Sequence, residues 1–288
     1  MKVINLKICQ LCAVDFTLKK FLLPLVDGQT NAGHHVISVC SKGEYTDQMR
    51  SEGYEIYSLN VTRSMNLLSH ARSIWKLYHY FRKQQFDVVH VHTPVAALVG
   101  RIAAKLARVP CIVYTAHGFY FHEDMPWAKR VFHESLEKFA GMFTDLLFTQ
   151  SAEDAQSAVK LRILDEQRIF PIGNGVDLKK FILPDSQKMF VRDQLGIPDS
   201  AFVIGMIGRQ VEEKGIVEFL QAARSIHNKY HWVHFLLIGG RLDSDHSQAV
   251  DLLVSDAMAS IGDNLHVLGM RDDVPQLLAV MDVFVLPS

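Results

Sequence analysis

Short apolar runs alternate with longer amphipathic stretches along almost the whole chain. The runs at 3–13, 35–40, 54–59, 86–91, 110–115, 144–149 and 168–172 have strand length. Between them, helical patterns are predicted at 18–32, 44–52, 64–85, 94–107, 127–141 and 151–160. This alternation predicts parallel strands with helices on both faces, as in one open doubly wound domain. The rhythm then breaks at 173–186, where "GNGVD" and "LPDSQ" cluster Gly, Asn, Pro and Asp and predict a linker. It restarts with a helix at 187–195, strands at 202–207, 233–238, 264–267 and 282–286, and helices at 214–229, 246–260 and 273–280. The expected organisation is α/β: a domain over 1–172, a linker over 173–186 and a second domain over 187–288. The final run in "MDVFVLPS" reads as a buried strand with no covering helix after it, so the second domain is expected to be incomplete.

Composition supports globular cores: 49% of residues are apolar and 21% charged. A formal net charge of −1 does not suggest a nucleic-acid partner. No apolar run approaches the ~18 residues of a membrane span. The opening "MKVINLKICQLCAVD" reads as a buried strand rather than a signal peptide, because Asp15 interrupts it, so a cytoplasmic protein is expected. Cys9 and Cys12 form C-x-x-C, but an i, i+3 pair on a strand points to opposite faces. With Cys40 and Cys111 placed alone on other strands, all four read as small buried residues. His122-Glu123 and His133-Glu134 lack the second histidine of a zinc H-E-x-x-H, so no metal site is expected. Charge is uneven, however: residues 56–122 carry eight Lys and Arg against Asp87 alone. The predicted helix 64–85 mixes that charge with Trp75, Tyr78, Tyr80 and Phe81. Two readings stand: aromatics facing the core, or a basic face resting on anionic lipid.

Chemistry concentrates at "IGMIGRQVEEKG", 204–215. The strand ends at Gly208, Arg209 follows, and Lys214 precedes the next helix. A strand-to-helix turn offers backbone N–H groups, and a guanidinium with an ammonium beside them suits a diphosphate. A solvated charge pair beside Glu212 and Glu213 is the plainer alternative. The spacing matches neither a phosphate-binding P-loop nor G-x-G-x-x-G.

"GR…KG" here, "GNGVD" in the crossover, "AHGF" after a mid-domain strand and "LHVLGMRDDVPQLLAVMDVFVLPS" occur in an order that resembles the retaining glycosyltransferases of family 4. The resemblance covers the whole chain. It implies the GT-B fold: two doubly wound, Rossmann-like parallel-sheet domains with the active site in the cleft between them. It also implies transfer of a sugar from a nucleoside-diphosphate donor, expected to be UDP-linked, to a glycan or lipid-linked saccharide during cell-surface polysaccharide synthesis. No cofactor and no metal would be needed. Arg209, Lys214 and Gly208 would hold the donor diphosphate. His117 would reach the donor sugar as the catalytic histidine, with Phe119 beside it. Val267, Gly269 and Met270 would pack on the nucleobase, and Asn174 and Gly175 would form the interdomain turn.

The chain departs from the family pattern after its first strand, where "VDFTLKKFLLPL" has no glycine. There Thr17 is expected as the N-cap of helix 18–26, with its helix end towards the diphosphate, and Phe16 near sugar or acceptor. Asp272 and Asp273 are expected to cap helix 273–280. The family's E-x7-E segment would follow "VLPS", so a C-terminally truncated chain with little activity is expected. The first domain would bring its basic face to the inner membrane surface. The alternatives are a non-catalytic nucleotide-binding or membrane-surface remnant, and a nucleotide-sugar 2-epimerase of the same fold.

Overall fold

The computed structural model describes residues 5–59, 67–121, 125–240 and 248–287. The expectations for residues 3–4, 64–66 and 246–247, and for His122 and Glu123, fall outside them. The chain divides into two compact units, 1–174 and 175–288.

In the first unit the strands are β1 (Lys7–Val14), β2 (His35–Ser41), β3 (Ile56–Ser58), β4 (Val88–His92), β5 (Cys111–Ala116), β6 (Leu146–Thr149) and β7 (Ile169–Pro171). They form one parallel sheet in the order β3-β2-β1-β4-β5-β6-β7. Its helices are α1 (Asp15–Thr17), continued by a π-helical turn (Leu18–Leu22) into α2 (Leu23–Asn31), then α3 (Thr46–Ser51), α4 (Leu67–Gln84), α5 (Pro94–Leu106), α6 (Trp127–Gly141) and α7 (Ala152–Lys160). Successive strand residues face opposite sides, so β1 feeds two cores. Cys9, Leu11 and Ala13 join the core that includes Leu77, Phe81 and the alanines of α5. Ile8 and Cys12 join the core built with Leu18, Leu22, Val26 and Met49. Gly100 lets α5 lie directly on the sheet, since a Cβ there would strike Leu11 and Val91.

The second unit has α8 (Asp185–Gln194), β8 (Phe202–Ile207), α9 (Ile216–His227), β9 (Val233–Ile238), α10 (Gln248–Ile261), β10 (Leu265–Gly269), α11 (Val274–Ala279) and β11 (Val283–Phe284). Its parallel sheet runs β10-β9-β8-β11. One face packs on α9 and α10, the other on α8 and α11.

Several expectations are corrected. The final strand is two residues long and exposed rather than buried: among the described residues it pairs with β8 alone, at Ile204 and Gly205. Cys9 and Cys12 do lie on opposite faces, but Cys40 is not alone. It neighbours Cys12, and that contact, followed by burial, pushes the Cys12 thiol up. Within 173–186 the chain is not plain linker, because a 3-10 turn (Leu178–Phe181) precedes α8, which starts at Asp185. The left-handed residue there is Gly173, at φ 68°, rather than Asn174 or Gly175. Among the described residues no helix is long and apolar enough to cross a membrane.

Candidate active site

In a sheet ordered 3-2-1-4, the connections leave β1 and β4 in opposite directions. The carboxyl ends of those two strands therefore bound a crevice, which is where open α/β sheets take ligands. The backbone there is specialised. Thr93, just after β4, stands at φ 63°, a region a β-branched residue rarely enters. Its hydroxyl accepts a hydrogen bond from the Ala13 N–H at 3.2 Å, tying the two strand ends together. After β1, the buried Asp15 carboxylate accepts from the Tyr45 N–H at 2.8 Å and the Thr46 hydroxyl at 3.1 Å. A Cβ at Gly43 would run into that carboxylate, so only glycine lets this loop close over it.

His117 lies at the end of β5, beside the same crevice, and closes a polar chain that starts deep in the sheet. Gln10 and His90 are register partners on β1 and β4. The Gln10 amide donates to Gln29 Oε1 at 2.8 Å and faces His90 Nδ1 at 3.4 Å. Its Oε1 lies 2.8 Å from His92 Nε2. His92 Nδ1 is 3.1 Å from His117 Nε2, and His117 Nδ1 is 2.6 Å from the Gln150 amide nitrogen. His90 Nε2 meets the Thr115 hydroxyl at 2.7 Å. Burial, and then the neighbouring His117, pushes the His90 imidazole down to about 3. Burial, then His90 and His117, holds His92 well below the usual range, and burial lowers His117 as well. These imidazoles are therefore neutral near pH 7.

In the second unit the corresponding switch lies between β8 and β11. β8 ends at Ile207; Gly208 and Arg209 follow, and a 3-10 turn (Glu212–Lys214) leads into α9. Gly215 takes φ 71° at the start of α9, and a Cβ there would collide with Pro287 beyond β11. The Lys214 stem lies alongside Gly208, while Arg209 is exposed. The loop is pinned from behind. Gly208 N–H donates to Ile238 O at 2.9 Å, Gln210 N–H to Gly240 O at 3.1 Å and the Gln210 amide to Gly239 O at 2.8 Å. A Cβ at Gly239, itself at φ 119°, would strike the Gly208 carbonyl. The next strand ends in step, with Gly239 N–H donating to Gly269 O at 2.8 Å. Gly269 turns at φ 64°, and Met270 is 64% exposed with its stem near Gly240. Val267 is half-buried on β10. Gly208, Arg209, Lys214, Gly269 and Met270 thus share the carboxyl edge of one sheet.

Other sequence-predicted residues stand elsewhere. Thr17 is not an N-cap: helix begins at Asp15 straight from β1, and Thr17 sits inside it with helical angles. Lys19 is held by Glu52 at 2.8 Å, and Lys20 lies over the Tyr45 ring. Phe16 packs edge-on with Phe21 and near Tyr45 at the mouth of the crevice. Phe119 stacks on Phe121 against the core. Asn174 and Gly175 are exposed where the two units divide. Asp273 precedes α11 without a side-chain cap; its carboxylate pairs with Arg271 instead, which holds it below the usual range. Sequence reasoning passed over Gln10, Asp15, His90, His92, Gln150 and Gln210. A signal existed for the histidines, since "HVH" at i, i+2 puts both rings on one strand face.

The profile of Glycosyltransferase Family 4 matches residues 20–180, and that of Glycosyl transferases group 1 matches 201–288. An Escherichia coli protein, UDP-Gal:alpha-D-GlcNAc-diphosphoundecaprenol alpha-1,3-galactosyltransferase, is 33% identical over 87% of this chain. A Campylobacter jejuni protein, N,N'-diacetylbacillosaminyl-diphospho-undecaprenol alpha-1,3-N-acetylgalactosaminyltransferase, is 26% identical over 93%. The matches span 64% and 70% of those relatives' own lengths. Among solved structures, Anabaena HepE in complex with UDP and glucose superposes with a TM-score of 0.75, at 20% identity, over 99% of this chain and 74% of that one. That likeness is one of fold: two Rossmann-like parallel-sheet domains of the GT-B class. Profile matches over most of both units, together with the E. coli relative's identity, show that the chain belongs to glycosyltransferase family 4.

Proposed function

We propose that this chain serves retaining glycosyl transfer, in which a sugar passes from a UDP-linked donor to a lipid-linked saccharide or growing glycan in cell-surface polysaccharide synthesis. The observation that carries this reading is the pinned loop after β8, which brings Arg209 and Lys214 to the switch point of the second sheet. Those two cations suit a diphosphate, and they offset the negative charge that develops on it as the glycosidic bond breaks. Positive charge then comes from side chains rather than from a metal ion. The loop around Gly269 and Met270 takes the nucleobase, and His117 on the first unit hydrogen-bonds the sugar. The names of the E. coli and C. jejuni relatives, which specify diphospho-undecaprenol-linked acceptors, support the acceptor class.

A lipid-linked acceptor sets the place of work, and helix α4 suits it. Along one exposed face run Leu68, Arg72, Trp75, Lys76, His79, Arg82 and Lys83, and the helix contains no Asp or Glu. Trp75 is 61% exposed, turned away from the core that takes Leu77 and Phe81. Its ring with flanking Lys and Arg suits the cytoplasmic membrane surface, where anionic headgroups lie.

Titration calorimetry with UDP tests the donor site. Arg209→Ala or Lys214→Ala weakens UDP binding about 10- to 100-fold, the loss of one charged hydrogen-bond set. Undiminished UDP affinity in both variants overturns the assignment. Trp75→Ser combined with Lys76→Gln and Arg82→Gln abolishes flotation with anionic vesicles; equal flotation of the parent chain with neutral and anionic vesicles removes the anionic-lipid component.

A further inference from the structure

The crevice of the first unit has a polar floor that diphosphate binding does not use. Gln10 and His92 are fully buried on neighbouring strands, where apolar side chains would avoid a desolvation cost. A neutral imidazole has one N–H to give, so each hydrogen bond in the chain fixes the direction of the next. The Gln10 amide nitrogen donates to Gln29 Oε1 and lies 3.4 Å from His90 Nδ1. Its Oε1 therefore faces His92 Nε2, which donates. With its proton on Nε2, His92 has a bare Nδ1, which accepts from His117 Nε2–H. His117 is left with a bare Nδ1, now receiving the Gln150 amide N–H. No carboxylate is among these hydrogen-bond partners, so nothing in the chain calls for an imidazolium.

We propose that Gln10 and His92 are positioning residues that lock His117 in its Nε2–H tautomer, so that its Nδ1 lone pair is offered as an acceptor to a sugar hydroxyl, which takes the place of the Gln150 amide. This rests on the reading of His117 as the group that meets the donor sugar. It adds a direction to that contact. The ligand must present an O–H here, and one presenting only an acceptor oxygen meets a lone pair and is rejected. Gln150 keeps the lone pair satisfied until the hydroxyl arrives.

Histidine-selective 15N labelling of the 288-residue chain tests the lock without any ligand. Long-range proton–nitrogen correlations at pH 7.5, assigned with His92→Phe and His117→Ala, show both His92 and His117 as single Nε2–H tautomers. In His92→Phe, His117 becomes a mixture of tautomers while the circular dichroism is unchanged; Gln10→Leu, a second route should that variant not fold, gives the same mixture. Gln150→Met leaves His117 in the Nε2–H form. Finding His117 as Nδ1–H, as an averaging mixture in the parent chain, or unlocked by Gln150→Met alone overturns the proposal. Calorimetry then reads the consequence: His92→Phe weakens UDP-glucose about tenfold and leaves UDP unchanged. A parent chain that binds neither UDP nor UDP-glucose refutes the donor reading, while the tautomer spectrum still decides the lock.

Discussion

His90 sits almost wholly buried on β4, with Gln10 on one ring nitrogen and Thr115 on the other. Burial holds its imidazole down to about 3, whereas an unfolded histidine titrates near ~6.5. Between those values the unfolded state binds a proton that the folded state refuses. Stability is therefore complete above pH ~6.5 and falls as the pH drops, by about 1.4 kcal/mol per unit. His90 alone removes about 2 kcal/mol at pH 5, and His92, shifted the same way, adds to it. Urea unfolding at pH 7.5 and pH 5, for the parent and His90→Gln, measures this; the variant loses part of the slope, and equal slopes refute the assignment. At this scale the sequence was only partly legible. The placement of Gly208, Arg209 and Lys214 at a strand-to-helix turn is read directly, because a strand end, a glycine and two cations are adjacent in sequence. The Gln10–His92–His117 chain spans three strands far apart in sequence, and only the sheet order brings them together. Thr17 fails as a cap for a local reason: Asp15 already begins the helix, and its carboxylate goes to Tyr45 and Thr46 instead of to the helix end.

Helices and strands were mostly legible from periodicity, because parallel strands covered on both faces read as near-continuous apolar runs. What periodicity obscured was the sign of a face. Arg101, counted in the sequence as part of a basic surface, is 1% exposed on α5. It follows Ala97 and precedes Ala104 on the buried side of that helix, a spacing that could have revealed it. Its guanidinium lies 4.1 Å over the Tyr114 ring, and it donates to Glu137 at 3.2 Å and to the Ala97 carbonyl at 3.1 Å. The Tyr114 hydroxyl donates to the same Glu137. One ion pair thus ties α5, α6 and β5, and Arg101 is withdrawn from the basic surface, where Lys105 and Arg108 remain exposed beside those of α4. Removing one member strands a buried charge, so Arg101→Ala and Glu137→Ala each cost about 3–5 kcal/mol. Removing both costs less than the sum, because the second change relieves the charge that the first exposed. Denaturant unfolding of the two singles and the double gives the coupling; additive values mean the pair does not act as a unit.

Across the whole molecule, the exposed stretch where the two units divide governs how the chain comes apart. Each unit buries its own apolar clusters. Between β7 and the 3-10 turn at Leu178, every residue is exposed, and Ile172 N–H, donating to Thr149 O, ends the sheet pairing. Lys179 and Lys180 follow at once, in a short turn held by Asp177. Such a segment opens locally at little cost, whereas cleavage inside either sheet requires a unit to unfold. Brief trypsin treatment therefore nicks the chain at Lys179 or Lys180 and leaves two resistant fragments with parallel-sheet circular dichroism. The histidine argument then separates them: only the amino-terminal fragment carries His90 and His92, so lowering the pH from 7.5 to 5 should destabilise it by the His90 increment, and His90→Gln should change that fragment alone. Digestion straight to small peptides, or a His90→Gln effect on the carboxyl-terminal fragment, would show that the units do not hold their folds independently.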